Sequence, residues 1–333
     1  MPPITFLDKT YKTLNDFIAY VENEINLGNN LNVKDNDLYG SAILITLMMP
    51  MSLDNNNSND NGNLFKIIKR LIDVGVDVNL KNDKGTTPLM VASKYQNSVE
   101  IVKLLIDSGA HINAQDNEGC TALMFASGDT ATSSSIKIVK LLIDSGADVN
   151  IQNKYGDTAL IIASLDSGTS SSLETVKLLI DSGSNVNIQD NNGWTSLMLA
   201  ANNSNLYSSI ETVKLLINSG ANINTQQNDG WTALMMASGA SHTYSSIDTV
   251  KLLIDSGADI NIQNNEGCTA LMLASGNSNS TSSTKTVKLL IKSGANLKVL
   301  NNEGLNALMI ASKYSKSTSS QKTIKLLFKA YKK

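Results

Sequence analysis

The sequence predicts an all-α solenoid of stacked helix–turn–helix units joined by β-hairpin-like turns. Three observations carry that expectation. A phrase is written twice, "NEGCTALMFASG" at 117–128 and "NEGCTALMLASG" at 265–276. Its glycine returns at Gly85, Gly119, Gly156, Gly193, Gly230, Gly267 and Gly304, spaced by 34 and thereafter by 37 residues. Each period also holds two short apolar segments that cannot bury a face alone, whereas stacked copies can.

Taken in order, "TLNDFIAYVENEINLG" (13–28) reads as a helix, and residues 1–36 as an N-terminal capping half-repeat. Residues 37–81 read as a degenerate repeat starting near Gly40, whose long insertion at 49–63 is expected to be a mobile polar loop. Residues 82–333 read as seven repeats, the last a C-terminal cap whose final helix, "SQKTIKLLFKAYKK", carries solubilising lysines. Repeats open with Asp or Asn first and Gly fourth, as at Asn82–Gly85, Asp116–Gly119, Asn153–Gly156 and Asp190–Gly193, the pattern of a type I turn. Two residues later stands a threonine (Thr87, Thr121, Thr158, Thr195, Thr232, Thr269) suited to cap a helix. "ALMxAS" then supplies a short inner helix. A polar stretch leads to an outer helix of the type "TVKLLIDSGA", apolar at Val176, Leu178, Leu179 and Ile180 and stopped by a left-handed glycine such as Gly183.

Serine clusters at 133–135, 170–172, 208–209, 245–246, 282–283 and 319–320 precede the outer helices. Capping explains their constant spacing better than regulatory phosphorylation does. Ser171 with Glu174 and Ser208 with Glu211 match the capping box.

The run of motifs "TPLMVA" (87–92), "TALMFA", "TALIIA", "TSLMLA", "TALMMA", "TALMLA" and "NALMIA" (306–311) resembles the T-P-L-H-x-A of ankyrin repeats. The resemblance covers essentially the whole chain. Two departures stand out. The family's histidine is Met or Ile throughout, exchanging a hydrogen bond for adaptable packing and lowering the expected local stability. The period is also about four residues longer than the family's 33, the excess lying between the helices, as in "GDTATSSS" (128–135). The near-identity of periods and the Asn-, Ile- and Lys-rich wording resemble the multi-repeat ankyrin proteins of large DNA viruses and of microbes living in host cells.

Composition narrows the function. A formal charge of −3 offers no basic field for nucleic acid or an anionic membrane. The longest apolar stretch, residues 42–51, is too short to span a bilayer. The N-terminus lacks the basic and apolar regions of a signal peptide, so an intracellular, cytoplasmic protein is expected, host cytoplasm included. Cys120 and Cys268 sit at one place in two copies of the repeat and read as thiols in a reducing compartment. His111 and His242 have no partners at metal-ligand spacing and read as surface residues. Neither a catalytic constellation, a metal site nor a cofactor motif is present, so no enzyme is expected. A lysine ladder (Lys103, Lys140, Lys177, Lys214, Lys251, Lys288, Lys325) could track phosphates, but lacks interleaved aromatics and has aspartates four residues on. A solvated outer face is the stronger reading.

The informative position follows the turn glycine: Thr86, Cys120, Asp157, Trp194, Trp231, Cys268, Leu305. The scaffold accepts every chemistry there. Trp194 and Trp231 are the only tryptophans, and a tryptophan on an exposed hairpin is enriched among binding hot spots. The alternative is that each ring packs on its neighbouring hairpin and only steadies the stack. The resemblance implies a concave binding face of hairpin tips and inner-helix ends, matched here by Tyr155, Asp157, Asp166, Asn203, Asp229, Ala240 and Tyr314. The expectation is a monomeric scaffold that binds partner proteins, or, as the alternative, an adaptor or inhibitory regulatory subunit of an enzyme complex.

Overall fold

In the computed structural model, the described residues are 4–6, 9–11, 14–28, 58–94, 98–128, 133–165, 172–204, 209–241, 245–280, 282–317 and 319–332. They fall into two compact units, Met1–Lys154 and Tyr155–Lys333.

The first unit opens with a feature that the repeat pattern does not foretell. Strands β1 (Ile4–Phe6) and β2 (Lys9–Tyr11) pair antiparallel, Thr5 opposite Thr10. Helix α1 (Leu14–Asn26) buries Phe17 and Val21 and packs on α2 (Ser58–Asp73), where Arg70 Nη2 donates to Asn26 Oδ1 at 2.6 Å. Helix α2 corrects the expectation for 49–63. Residues 58–63 are helical, because small polar residues are well tolerated in a first turn whose N–H groups have no intrahelical partner. Residues 49–57 lie outside the described residues. Two helix pairs follow, α3 (Pro88–Lys94) with α4 (Val99–Asp107) and α5 (Ala122–Gly128) with α6 (Ser133–Asp144).

The second unit repeats that pair five times: α7 (Ala159–Leu165) and α8 (Ser172–Asp181), α9 (Ser196–Asn202) and α10 (Ile210–Asn218), α11 (Ala233–Gly239) and α12 (Ile247–Asp255), α13 (Ala270–Gly276) and α14 (Thr284–Lys292), α15 (Ala307–Lys313) and α16 (Gln321–Tyr331). Within it, each inner helix packs on the next inner helix and each outer helix on the next outer one. The core is therefore continuous along the stack. Leu197, Met198, Leu234, Met235, Leu271 and Met272 fill its inner layer, and Val213, Leu216, Val250, Leu253, Val287 and Leu290 its outer layer. The methionines and isoleucine in place of the family's histidine are buried at Met90, Met124, Ile161, Met198, Met235 and Met272, while Met309 in the last pair is 48% exposed.

The caps follow the sequence with one shift. Thr195, Thr232 and Thr269 accept from the N–H three residues on, and Asn306 takes over that task before α15. At α10, α12, α14 and α16 the cap is the second serine of the cluster. Ser209 accepts from Thr212 N–H, as do Ser246, Ser283 and Ser320 from Thr249, Thr286 and Thr323. Ser208 of the expected Ser208–Glu211 box lies outside the described residues, and the cap that the structure shows is Ser209. The residue three after Ser209 is Thr212, whose hydroxyl meets Ser209 Oγ at 3.1 Å, and Glu211 pairs with Lys214 instead. Ser171 lies outside the described residues. In the last three clusters the first serine has a different task. Ser245, Ser282 and Ser319 are buried and belong to a hydroxyl ladder in which Ser241 Oγ meets Ser282 Oγ at 3.2 Å and Thr286 Oγ1 at 2.7 Å.

What locks successive turns together is a second set of bonds. Asp190 Oδ1 accepts from the N–H groups of Asn192 and Trp194, closing its own hairpin. The next hairpin then donates backbone to backbone: Asn228 N–H to Asn192 O at 3.0 Å, Asn265 N–H to Asp229 O at 2.9 Å and Asn302 N–H to Glu266 O at 3.0 Å. Gln226 Nε2 bridges Gly230 O and Gln263 O, and Gln263 Nε2 bridges Gly267 O and Leu300 O. Asn224 reaches forward to the end of the next repeat's outer helix, donating to Gly257 O and accepting from Asp259 N–H. The short "NIQ" and "NTQ" segments thus supply the amides that zip repeats together.

One repeated residue is a liability. Ser93, Ser127, Ser164, Ser238 and Ser275, each the last residue of its inner-helix motif, bury an Oγ with no hydrogen-bond partner among the described residues. Since an unsatisfied buried hydroxyl costs about 1–3 kcal/mol, Ser238→Ala is expected to stabilise the protein by about 1 kcal/mol, and Ser164→Ala similarly. Urea melts showing either variant less stable than the parent would contradict this.

Candidate functional site

The residue after each turn glycine is held by its hairpin. Trp194 donates its N–H to Asp190 Oδ1 at 2.7 Å, and its carbonyl receives Asp190 N–H. Trp231 O likewise receives Gln227 N–H at 3.0 Å. With their backbones fixed, both indoles are half-buried. Neither indole N–H has a hydrogen-bond partner among the described residues, although a buried tryptophan usually finds one.

The two rings line one cavity of about 410 Å3, together with Asn202, Gln227, Met236, Gly239, Ala240, Leu273 and Asn277. A second cavity, of about 480 Å3, shares Leu273 and Asn277 and continues past Cys268, Leu305, Ile310 and Tyr314. The pair forms a trough whose floor is the inner helices α11, α13 and α15 and whose wall is the hairpins.

The structure brings three of the expected site residues together in the first cavity, Trp194, Trp231 and Ala240. Ala240 closes α11, its N–H bonded to Met236 O. The others stand apart from that cavity. Tyr155 is 58% exposed at its turn, where its carbonyl receives Asn191 N–H. Asp157 occupies the position equivalent to the tryptophans and is half-buried. Asn203 caps the end of α9 and accepts from Asn202 Nδ2 at 3.3 Å. Asp229 is exposed on the hairpin rim. Tyr314, 42% exposed, lines the second cavity. Asp166 lies outside the described residues, as does His242. Sequence reasoning passes over Met236, Leu273 and Asn277. The available signal is the variable x of "ALMxAS" for the first two, and for Asn277 its equivalence to Ala240 one repeat on.

The cysteines occupy equivalent places. Asn153 Nδ2 lies 3.8 Å from Cys120 Sγ, and Asn301 Nδ2 lies 3.8 Å from Cys268 Sγ. Burial pushes the Cys268 thiol up, the Asn301 hydrogen bond opposes this, and Glu266 and Glu303 add to the rise. The thiolate fraction is thereby reduced, which makes Cys268 a poor nucleophile. At the corresponding place in the Trp231 repeat the amide is Asn264, 5% exposed, and its Nδ2 has no hydrogen-bond partner among the described residues. An indole carries no acceptor, so a tryptophan cannot offer what a cysteine sulfur offers.

On the outer helices all seven lysines of the ladder are exposed. Lys103 pairs with Asp107 at 3.6 Å, Lys140 with Asp144 at 3.3 Å and Lys214 with Glu211 at 2.9 Å. Among the described residues no group of three or more His, Cys, Asp or Glu side chains could hold a metal ion, and no helix is long and apolar enough to cross a membrane.

A stack of inner and outer helices joined by interlocked hairpins defines a helical repeat protein. The model of ankyrin repeats, spanning three copies, matches residues 57–153, 129–226, 167–264, 205–298 and 238–333, and the chain belongs to the ankyrin repeat family. Repeats of this kind generally mediate protein–protein interactions, and the family is typically non-enzymatic. No curated protein matches the sequence.

Proposed function

We propose that the protein is a non-enzymatic scaffold that binds a partner protein through the hairpin and inner-helix face of its second unit, centred on Trp194 and Trp231. The observation that carries this is the cavity the two indoles share: it is mainly apolar and open, and among the described residues neither indole N–H has a partner. Rigid hairpins present these rings, so little ordering entropy is lost when a partner docks. In the same reading, residues 1–36 are a capping half-repeat, 37–81 a degenerate repeat, and 82–333 seven repeats. The paired lysines of the outer helices favour a solvated face over nucleic-acid binding. Cytoplasmic residence and a monomeric state complete the proposal.

The test is the affinity of a captured partner for the parent chain and for Trp194→Ala with Trp231→Ala, helix content being checked by circular dichroism. Truncation of a hot spot costs about 2 kcal/mol or more, so a loss of at least about 30-fold is expected. Unchanged affinity in the folded double variant would place the site elsewhere.

A further inference from the structure

We propose that the trough from Trp194 to Tyr314 takes a polyproline-II segment of the partner that carries Lys or Arg at every third position. This rests on the reading of that face as the partner site and specifies what it accepts.

Charge selects a cationic occupant. Asp229, Glu266 and Glu303 hold the same turn position in three successive repeats, and the hairpin bonds Asn265 N–H to Asp229 O and Asn302 N–H to Glu266 O stack those turns directly. All three side chains are exposed along the rim. The only cation lining either cavity is Lys313, which Glu303 already holds at 2.7 Å. Among the described residues neither Asp229 nor Glu266 makes an ion pair. A bound segment thus meets a column of carboxylates beside an apolar floor, and complementary charge both orients it and rejects acidic competitors.

Pitch selects the conformation. Packed helices lie about 8–10 Å apart, so the carboxylates and the two indoles recur at about that interval. A β-strand presents same-side residues about every 6.8 Å and falls out of step. An α-helix presents one face again after seven residues, about 10.5 Å, but is about 10–12 Å across. Its step of about 10.5 Å also overruns the repeat spacing of about 9 Å, so it drifts out of register along the trough. Polyproline II rises about 9.3 Å per turn of three residues, which matches. One side chain per turn then faces each carboxylate, and the remaining two lie over the apolar floor. The backbone of this conformation makes no internal hydrogen bonds, so its carbonyls are open to the indole N–H groups of Trp194 and Trp231. Three steps between positions 194 and 305 accommodate about nine residues.

The two tryptophans, the only ones in the chain, report directly on the trough. The full chain is titrated with three nine-residue synthetic peptides, repeats of Arg-Pro-Leu, Glu-Pro-Leu and Arg-Ala-Leu, followed by tryptophan emission and by calorimetry. The Arg-Pro-Leu peptide is expected to bind at least about tenfold more tightly than either other, and more weakly as salt rises. Asp229→Asn and Glu266→Gln are each expected to weaken it about two- to fivefold, the range of an exposed ion pair. Equal affinity for the Arg-Pro-Leu and Glu-Pro-Leu peptides overturns the charge argument, and tighter binding of Arg-Ala-Leu overturns the conformational one. The absence of any response overturns both. Each of these failures leaves the scaffold reading standing if a captured partner still depends on the tryptophan pair, whereas dispensable tryptophans remove the scaffold reading itself.

Discussion

Gly230→Ala is expected to destabilise the second unit by about 2–5 kcal/mol, while Gly257→Ala costs about 1–2 kcal/mol. Both glycines have positive φ, 82° and 95°. An L-residue pays about 1–2 kcal/mol for that conformation at either position. The difference is space. A Cβ on Gly230 would stand 2.7 Å from Asn265 Oδ1, 2.8 Å from its N and 2.9 Å from Asn264 Cα, because the next hairpin lies directly against it. Asn265 N–H is at the same time bonded to Asp229 O, so the neighbour can yield only by giving up the bond that stacks the repeats. That overpacking adds about 1–3 kcal/mol. Around Gly257 nothing lies within 4 Å. Urea melts of both variants decide the matter, and equal losses would mean that the hairpins do not hold one another.

The second large effect separates adjacent leucines. Leu253→Ala is expected to cost about 2–5 kcal/mol through the cavity it leaves, and Leu252→Ala clearly less. Leu253 is 0% exposed between α12 and its neighbours, as are Leu216 and Leu290 in the neighbouring outer helices. Leu252 is half-buried. Thermal or urea unfolding of the two single variants measures the contrast, which a non-stacked arrangement of outer helices would erase.

How far the molecule is legible in its sequence depends on the range of the forces involved. The turn at Asp190–Gly193, the cap at Thr195 and the stop at Gly220 are read correctly because each rests on partners within about four residues. The capping box is read one residue early, since Ser208 and Ser209 offer the same hydroxyl and only the helix start distinguishes them. The β1–β2 hairpin goes unforeseen because it precedes the repeating pattern and shares none of it. Trp194 and Trp231 stand out as variation in a constant frame. Their meeting with Met236, Leu273 and Asn277 does not, because Leu273 and Asn277 lie one repeat beyond Trp231 and two beyond Trp194.

By itself the sequence determined the period, the helix pairs, their caps and turns, and membership of a stacked architecture, since these follow from local bonding and from apolar faces that must be covered. Tertiary structure decided which glycines leave no room for a methyl group, which of two neighbouring leucines is core, and which variable side chains share a trough. Those outcomes depend on atoms some 33 to 37 residues apart in the chain, as in the pairing of Asn301 with Cys268 and of Gln226 with Gln263. Only the packing of one repeat on the next brings them into contact.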